Sequence, residues 1–375
     1  MTVLLTGATG FLGSRVAHTL LTTRNERVIA LGRGTPALLR IRVVNALRVH
    51  GEEVTHPGNL SRLRCVSGDV AQPWLGLSPA LHARIAREVD AVWHCAGDIA
   101  LTGERDRLFR VNAQGTAHVL AFMEMTAAHC RLVHLSTMAV AGARTEGCIM
   151  EDDLTDAHGF ETHYDASKFE AERLVRHWAE RQGRPAVVLR PSIVASDRTH
   201  PDEAAGHPLS VLGSMIEAVA LGGAPGIPAQ RGEGTGLRLR LAASPTATLN
   251  IVPDSYATQA MVRIGYDTAP DVGDVRTFHV VHAHNTPVQA LFDAMEAHYP
   301  GLRIDCFDGE VHDASLAEQY IASHLAGFLS YCRHRRTYDR SRALAATPEL
   351  AGPAPVDAGF LRRALGFTGQ AVGSR

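Results

Sequence analysis

The stretch HYDASKFEAERLV (163–175) sets a phenol and an amine four residues apart, Tyr164 and Lys168, which on a helix places them one turn apart on the same face. An ammonium near a phenol favours the phenolate and draws a pKa of about 10 toward working pH. Such a tyrosine can give a proton to a substrate oxygen or take one from it. The same spacing also fits an amphipathic helix that merely exposes both residues. A second stretch, HLSTMAVAG (134–142), carries adjacent hydroxyls, Ser136 and Thr137. Either could hydrogen-bond a substrate carbonyl oxygen beside the tyrosine.

A third group could hold a phosphate. In TVLLTGATGFLGSRV (2–16) a short apolar run meets Gly7, Gly10 and Gly13 and then apolar residues at helical spacing. Strand, glycine turn and helix make the first unit of a dinucleotide-binding fold. Gly7 permits the turn, Gly10 lets the backbone approach a pyrophosphate, and Gly13 allows close helix–strand packing. Twenty residues after Gly13 stands Arg33, where an NAD-preferring site would carry a carboxylate for the ribose hydroxyls. An arginine there suits a 2′-phosphate, and Arg40 or Arg42 could add a second cation. The expectation is NADP(H).

These groups need a sheet to gather them. Strand patterns recur at 27–34, 63–70, 91–97, 131–137 and 185–194 with helical stretches between, and 247–264 and 276–284 return to strand and helix. The alternation predicts an α/β, doubly wound parallel sheet whose ligands lie at the carboxyl ends of the strands. Asp69, ending the third strand, is placed to accept from adenine or to cap its own turn. Ala96 and Gly97 are small enough to let a cofactor lie against the backbone. Asn112 either ties a strand–helix junction or relays a proton through water to Lys168. Residues 195–249, rich in glycine and proline around the apolar run 209–221, read as inserted loops and a helix without strands. With 285–375 they make a smaller, mostly helical substrate lobe; 1–194 and 250–284 make the dinucleotide-binding domain. Leu209, Leu212, Ile216 and Val219 share one helical face, which packs as core or, with Met215, lines the substrate pocket.

Composition narrows the classes. The 375 residues carry a net charge of −2, which gives no reason to expect nucleic acid or an anionic membrane as partner. The basic run Arg333–Arg336 reads as surface. Six scattered cysteines without a C-x-x-C pair, and twenty histidines without H-E-x-x-H, predict neither a disulfide framework nor a metal site. No apolar run is long enough to span a bilayer. The first strand starts at residue 2, so no signal peptide and no fused carrier or adenylation domain are expected, and the chain reads as cytoplasmic.

TGATGFLG, the H-x-A-x element at 94–97, VNAQGT, LST, YDASK and LRPSIV follow one another as in an extended short-chain dehydrogenase/reductase, which the chain resembles over nearly its whole length. Within that superfamily it is most similar to the thioester-reductase and fatty-acyl-reductase (male-sterility-type) branch. The arginine after the second strand, the helix followed by GGAPGIP, and LNIVPDSYAT carry that likeness. The resemblance implies a Rossmann fold with a substrate lobe and a catalytic trio of Thr137, Tyr164 and Lys168, with Ser136 second choice for the hydroxyl. It implies a cofactor site drawn from Gly7, Thr9, Gly10, Phe11, Leu12, Gly13, Arg33, Asp69, Val70, Ala96, Gly97, Asn112, Lys168 and Pro191.

The function so implied is NADPH-dependent reduction of an acyl thioester to an aldehyde and on to an alcohol if a second hydride follows. The thiol is that of coenzyme A or of a separate acyl or peptidyl carrier protein. An NDP-sugar epimerase or dehydratase is the first rival, but dehydratases place an acidic pair where this chain has Met138 and Ala139, and sugar enzymes usually hold NAD. A ketone or hydroxysteroid-type reductase would use the same trio. A non-catalytic NADPH-sensing regulator would commonly lack the Tyr/Lys pair.

Overall fold

A computed structural model of the protein describes residues 1–198, 206–222, 236–268, 273–307, 309 and 311–367. The strands β1 (Thr2–Thr6), β2 (Arg27–Gly32), β3 (Leu63–Ser67), β4 (Ala91–His94) and β5 (Arg131–Leu135) join Ala186–Pro191 and Val275–Val280 in one seven-stranded sheet. Every pairing in it is parallel. From one edge the order is Val275–Val280, Ala186–Pro191, β5, β4, β1, β2, β3. Strand order therefore reverses between β1 and β4, the place where open α/β sheets form their ligand crevice. Both faces are covered, which is why these strands are nearly continuous apolar runs rather than alternating ones.

A second core lies beyond the carboxyl edge of the sheet. It is built from the helices Pro208–Ala220, Val288–His298, Leu316–Tyr331 and Ala358–Ala364, with Met138, Ala139 and Ile193 packed into it from the sheet side. Parallel pairing of Ile251–Pro253 with Ile193–Ala195 joins this lobe to the sheet domain. Contrary to the sequence reading, the stretch before residue 249 holds a strand, Leu237–Leu241, paired in parallel with Leu302–Cys306. Its LRLRL pattern has the period of two, with Leu239 and Leu241 buried and Arg238 exposed. Neighbouring glycines and prolines drowned that signal. Much of the inserted sequence, 199–205 and 223–235, lies outside the described residues.

The C-terminal stretch does not stay in the lobe as expected. Thr337–Tyr338 pairs with Cys148–Ile149, and the helix Ser341–Ala346 packs on the sheet side, with Ala343 in its core. The buried Glu151 carboxylate holds it there, accepting backbone N–H groups from His279 at 2.8 Å, Arg342 at 2.7 Å and Ala343 at 3.1 Å. The basic run is also not simply surface. Arg333 and Arg335 are exposed, but Arg336 is buried and donates to the carbonyls of Gly142 and Arg144 and to the Tyr338 hydroxyl.

Candidate active site

The glycine turn has the close approaches its spacing demands. Gly7 has φ +78°, and a Cβ there would stand 2.7 Å from the backbone of Cys95 and Ala96 at the end of β4. A Cβ at Gly13 would collide with the Gly7 carbonyl. The helix α1 (Phe11–Thr22) thus begins hard against β1, with Gly10 at its N-cap, no side chain capping it and no acid in its first turn. Its N–H groups are free of side-chain partners where an anionic diphosphate would lie.

From this turn a cavity of about 610 Å³ runs along the ends of β1, β2 and β3, lined by Gly7, Thr9, Gly10, Arg33, Arg42, Asp69, Val70, Ala96 and Gly97 among others. Arg42 donates to the Arg33 backbone carbonyl, and both residues line the cavity. Arg40 does not serve: its guanidinium is spent on the carbonyls of Leu63 and Leu60, at 2.7 and 3.1 Å. Asp69 lines the cavity, and one of its oxygens accepts the Ala71 N–H at 3.0 Å, capping its own turn. The donor set fits an adenine dinucleotide: a glycine turn at a helix N-terminus for the diphosphate, with Asp69, Arg33 and Arg42 among the polar groups lining the cavity.

Asn112 falls outside this cavity. It is 1% exposed, and its amide donates to Asp98 O and Ser167 Oγ, both at 2.9 Å, and accepts the Asp98 N–H at 2.8 Å. It therefore fixes the loop after β4 against the Tyr164 helix rather than touching a cofactor. Three of the four hydrogen bonds this amide can make, both of its N–H donors among them, are spent within the chain.

A second cavity of about 390 Å³ adjoins the first, sharing Gly10, Cys95, Gly97 and Ile99. Phe11, Leu12, Gly13 and Pro191 line it, and Thr137, Tyr164 and Lys168 meet in it. The helix His163–Gln182 brings the last two. Thr162 caps it by accepting the Asp165 N–H, and Gly183 ends it in the left-handed conformation. Thr137 stands just past β5, where its Oγ1 accepts the Ala139 N–H at 3.2 Å and pairs with the Tyr164 hydroxyl. Lys168 donates from Nζ to Leu135 O at 2.7 Å.

The electrostatics differ from the simple pairing expected. Burial pushes the Tyr164 phenol up to about 12, partly offset by the Thr137 hydrogen bond, and Lys168 is not among the groups that act on it. Burial likewise pulls Lys168 down to about 8, against the pull of Glu172. Burial is the largest influence on each group, and the amine spends a donor on a backbone carbonyl.

Four side chains in or beside this cavity were not singled out from sequence. Glu172, one turn beyond Lys168, is fully buried and paired with Arg190 at 2.6 Å, and Ser136 Oγ donates to it at 2.8 Å. The i+4 spacing from Lys168 was the available signal. Asp165 is fully buried beside Tyr164. Phe328 and Tyr331 reach the cavity from the lobe helix Leu316–Tyr331, where Gly327 runs so near Leu101 and Thr162 that no side chain would fit. Nothing local could announce such long-range contacts. The run 209–221 does not reach the cavity: Leu209, Leu212, Ile216 and Val219 are core, and Met215 packs against that core. His207 and Pro208, at the start of that helix, line the cavity instead.

Fold and site together define a dinucleotide-binding oxidoreductase of the extended short-chain dehydrogenase/reductase class. The family model "Male sterility protein", an NAD-binding domain, matches residues 5–261, and the chain belongs to that family. It is 34% identical over 193 residues to an isonitrile lipopeptide synthase of Streptomyces coeruleorubidus, covering 50% of this chain and 13% of that protein. It is 30% identical over 240 residues to a carboxylic acid reductase of Segniliparus rugosus, covering 57% and 20%. The chain thus spans a fifth or less of these relatives. The terminal R domain from the myxalamid PKS-NRPS pathway shares the fold with a TM-score of 0.76 at 24% identity, over 98% of this chain and 90% of that one. The reductase domain of a nonribosomal peptide synthetase from Mycobacterium tuberculosis does so at 0.70 and 22%, over 98% and 91%. Among the described residues no helix is long and apolar enough to cross a membrane.

Proposed function

We propose that the protein reduces an acyl thioester to an aldehyde with NADPH. The observation that carries this is the seating of Thr137, Tyr164 and Lys168 in an apolar cavity that opens onto the dinucleotide cradle. Lys168 is the sole charged side chain among the described residues lining it. That lining suits an uncharged acyl chain better than a nucleotide sugar, and Met138 and Ala139 occupy the positions where a dehydratase would need acids.

Bound NADPH would supply the hydride that converts the thioester carbon to a tetrahedral alkoxide. Gly7, Gly10 and Gly13 would cradle its diphosphate, and Arg33 with Arg42 would take the 2′-phosphate that distinguishes it from NADH. The Thr137 and Tyr164 hydroxyls donate to the substrate oxygen as charge develops there. Tyr164, pushed up to about 12, is protonated at neutral pH, as a general acid for reduction must be, and passes its proton to that oxygen. Lys168, anchored on Leu135 O and lining the same cavity, would restore that proton and bind a ribose hydroxyl. The hemithioacetal then expels the thiol and leaves the aldehyde; a second hydride would give the alcohol. The names of two relatives, an isonitrile lipopeptide synthase and a carboxylic acid reductase, are in keeping with an acyl or peptidyl substrate, which a carrier or coenzyme A would present as the thioester.

Product analysis tests this reading. The protein is incubated with NADPH and a panel of acyl-coenzyme A and acyl-carrier thioesters, with ketones and NDP-sugars alongside. Aldehyde or alcohol from the thioesters alone is expected. Turnover of ketones or sugars with thioesters untouched would overturn it.

A further inference from the structure

The cavity along the ends of β1, β2 and β3 holds more cations than a 2′-phosphate calls for. Arg107 and Arg110 line it together with Arg33 and Arg42, against two carboxylates, Asp69 and Asp98, among the described residues. The added pair does not follow the second strand, where Arg33 stands. It comes from the helix Arg105–Phe109 and the turn Arg110–Gln114, which lead into the helix Gly115–Glu124. That last helix packs into the core on one face of the sheet, whereas α1 packs into the core on the other. The two arginines therefore approach the cavity from the side opposite the glycine turn.

Contacts through the end of β4 fix where they stand. Cys95 and Ala96 lie so close to Gly7 that no side chain fits there. Two residues on, Asp98 accepts Arg107 Nε at 2.7 Å, and Asn112 pins Asp98 through both its N–H and its carbonyl. Arg107 thus belongs to the glycine-turn end of the cavity, with only Nε of its guanidinium spent among the described residues. Arg110, three residues on, shares its helix face. It is exposed and has no carboxylate partner among the described residues. The acids on its outer side, Asp106 and Glu170, pair instead with Arg105 at 3.6 Å and Arg173 at 2.7 Å. Residues 110–114 wind as a wide, π-type turn, a departure from the α-helix that is frequent at functional sites. Within it Asn112 faces inward to Asp98 and Ser167 while Arg110 and Val111 line the cavity.

We propose that Arg107 and Arg110 clamp the diphosphate of the bound dinucleotide from the side opposite the glycine turn, as binding residues that serve NADPH and NADH alike. The inference rests on the dinucleotide reading of this cavity. The N–H groups that open α1 meet one side of the dianion. Donors on that side alone would leave the remaining phosphate oxygens facing the open rim. Guanidinium groups on the other side supply charge-assisted, potentially bidentate bonds to them. Arg33 and Arg42 then sort the two cofactors by the 2′-phosphate, while Arg107 and Arg110 add affinity without sorting.

The test is a set of binding titrations on the full chain. NADPH and NADH are followed by fluorescence, with ADP and adenosine as competing fragments, in wild type, Arg110→Ala, Arg110→Glu and Arg110→Lys. Arg110→Ala should weaken NADPH, NADH and ADP by one common factor of about tenfold and leave adenosine, which has no phosphate, unchanged. Arg110→Glu should weaken the three phosphate ligands further, and Arg110→Lys should recover part of the loss. Arg107→Ala also strips Asp98 of its partner, so it is made in an Asp98→Asn background, where it should repeat the pattern of Arg110→Ala. Unchanged affinities in both Arg110→Ala and Arg110→Glu would overturn the inference. A loss confined to NADPH would overturn it too, by putting the 2′-phosphate at Arg110. A wild-type chain that binds neither NADPH nor NADH would instead remove the reading on which it rests.

Discussion

Ser136 donates its hydroxyl to the buried Glu172 carboxylate at 2.8 Å, while its neighbour Thr137 pairs with Tyr164. One residue of strand register separates a hydroxyl locked into the interior from one that meets the candidate acid, because successive side chains at the end of β5 point to opposite sides. The two adjacent hydroxyls that the sequence left in competition thereby separate. Both line the cavity, but the free reach of Thr137 toward Tyr164 favours it as the proposed substrate donor, with Ser136 as a structural tie.

The first prediction follows from that division. Thr137→Ala should lower kcat by about a hundredfold, the usual scale for losing one oxyanion donor, with little change in melting temperature. Ser136→Ala should do the reverse, leaving kcat within a few-fold but costing about 1.5–3 kcal/mol for a hydrogen bond to a charged group. Steady-state kinetics and thermal unfolding of both variants decide it. Interchanged effects would exchange the two roles.

A second prediction concerns the cofactor. Arg33→Ala and Arg42→Ala should each weaken NADPH binding while leaving NADH binding nearly unchanged, and the double variant should bind the two alike. A tenfold loss corresponds to about 1.4 kcal/mol, modest for a charge-assisted contact to phosphate. Arg40→Ala should not alter cofactor choice, since its guanidinium holds the backbone at Leu60 and Leu63. Fluorescence titration with both cofactors measures this. Equal affinity of the wild type for NADPH and NADH would sink the assignment.

The third concerns acid stability. Burial alone would push Glu172 up, but the charge and hydrogen bonds of Arg190, with Arg176 and Ser136, hold it down to about 2. A folded-state pKa lowered from its ordinary 4.5 means this group's stabilisation is complete above that value and lost as pH falls toward 2. Glu172→Gln leaves Arg190 buried without its counter-charge and should cost about 3–5 kcal/mol near neutrality. Its unfolding free energy should also depend less on pH between about 4.5 and 2 than that of wild type. Denaturant unfolding across that range checks both effects.

How far the sequence reached depends on whether a feature was local. The sheet strands, α1 and the helix bearing Tyr164 and Lys168 were readable because period and glycine spacing are local properties of the chain. Gly7 and Gly13 meet the close approaches their spacing implied. Asn112 was readable only as a pair of alternatives, since whether an amide faces a ligand or a backbone depends on the Asp98 loop that folds over it. The strand Leu237–Leu241 was hidden by its glycine-rich surroundings although its alternation was plain. The Asp165–Tyr331 bond and the reach of Phe328 into the cavity had no sequence signal, for they join segments more than 150 residues apart.

The last prediction turns on that distant wall. The apolar run at 209–221 is the obvious candidate for an acyl pocket by hydrophobicity, yet its apolar face is consumed by the lobe core and Met215 does not line the cavity. Phe328, 4% exposed, does line it. Replacing a ring by a smaller branched chain opens space at that wall, and an acyl chain bulky enough to fill the space restores close packing there. Phe328→Leu should therefore shift preference toward bulkier acyl thioesters, raising their kcat/KM relative to short ones by about tenfold, the worth of one or two methylenes in an apolar pocket. NADPH affinity should not move, because Phe328 does not line the dinucleotide cavity. Met215→Trp should leave the chain-length profile unchanged while lowering stability through overpacking by about 1–3 kcal/mol. Competition assays with a graded series of thioesters measure both. A profile altered by Met215→Trp and untouched by Phe328→Leu would move the acyl pocket to the helix Pro208–Ala220.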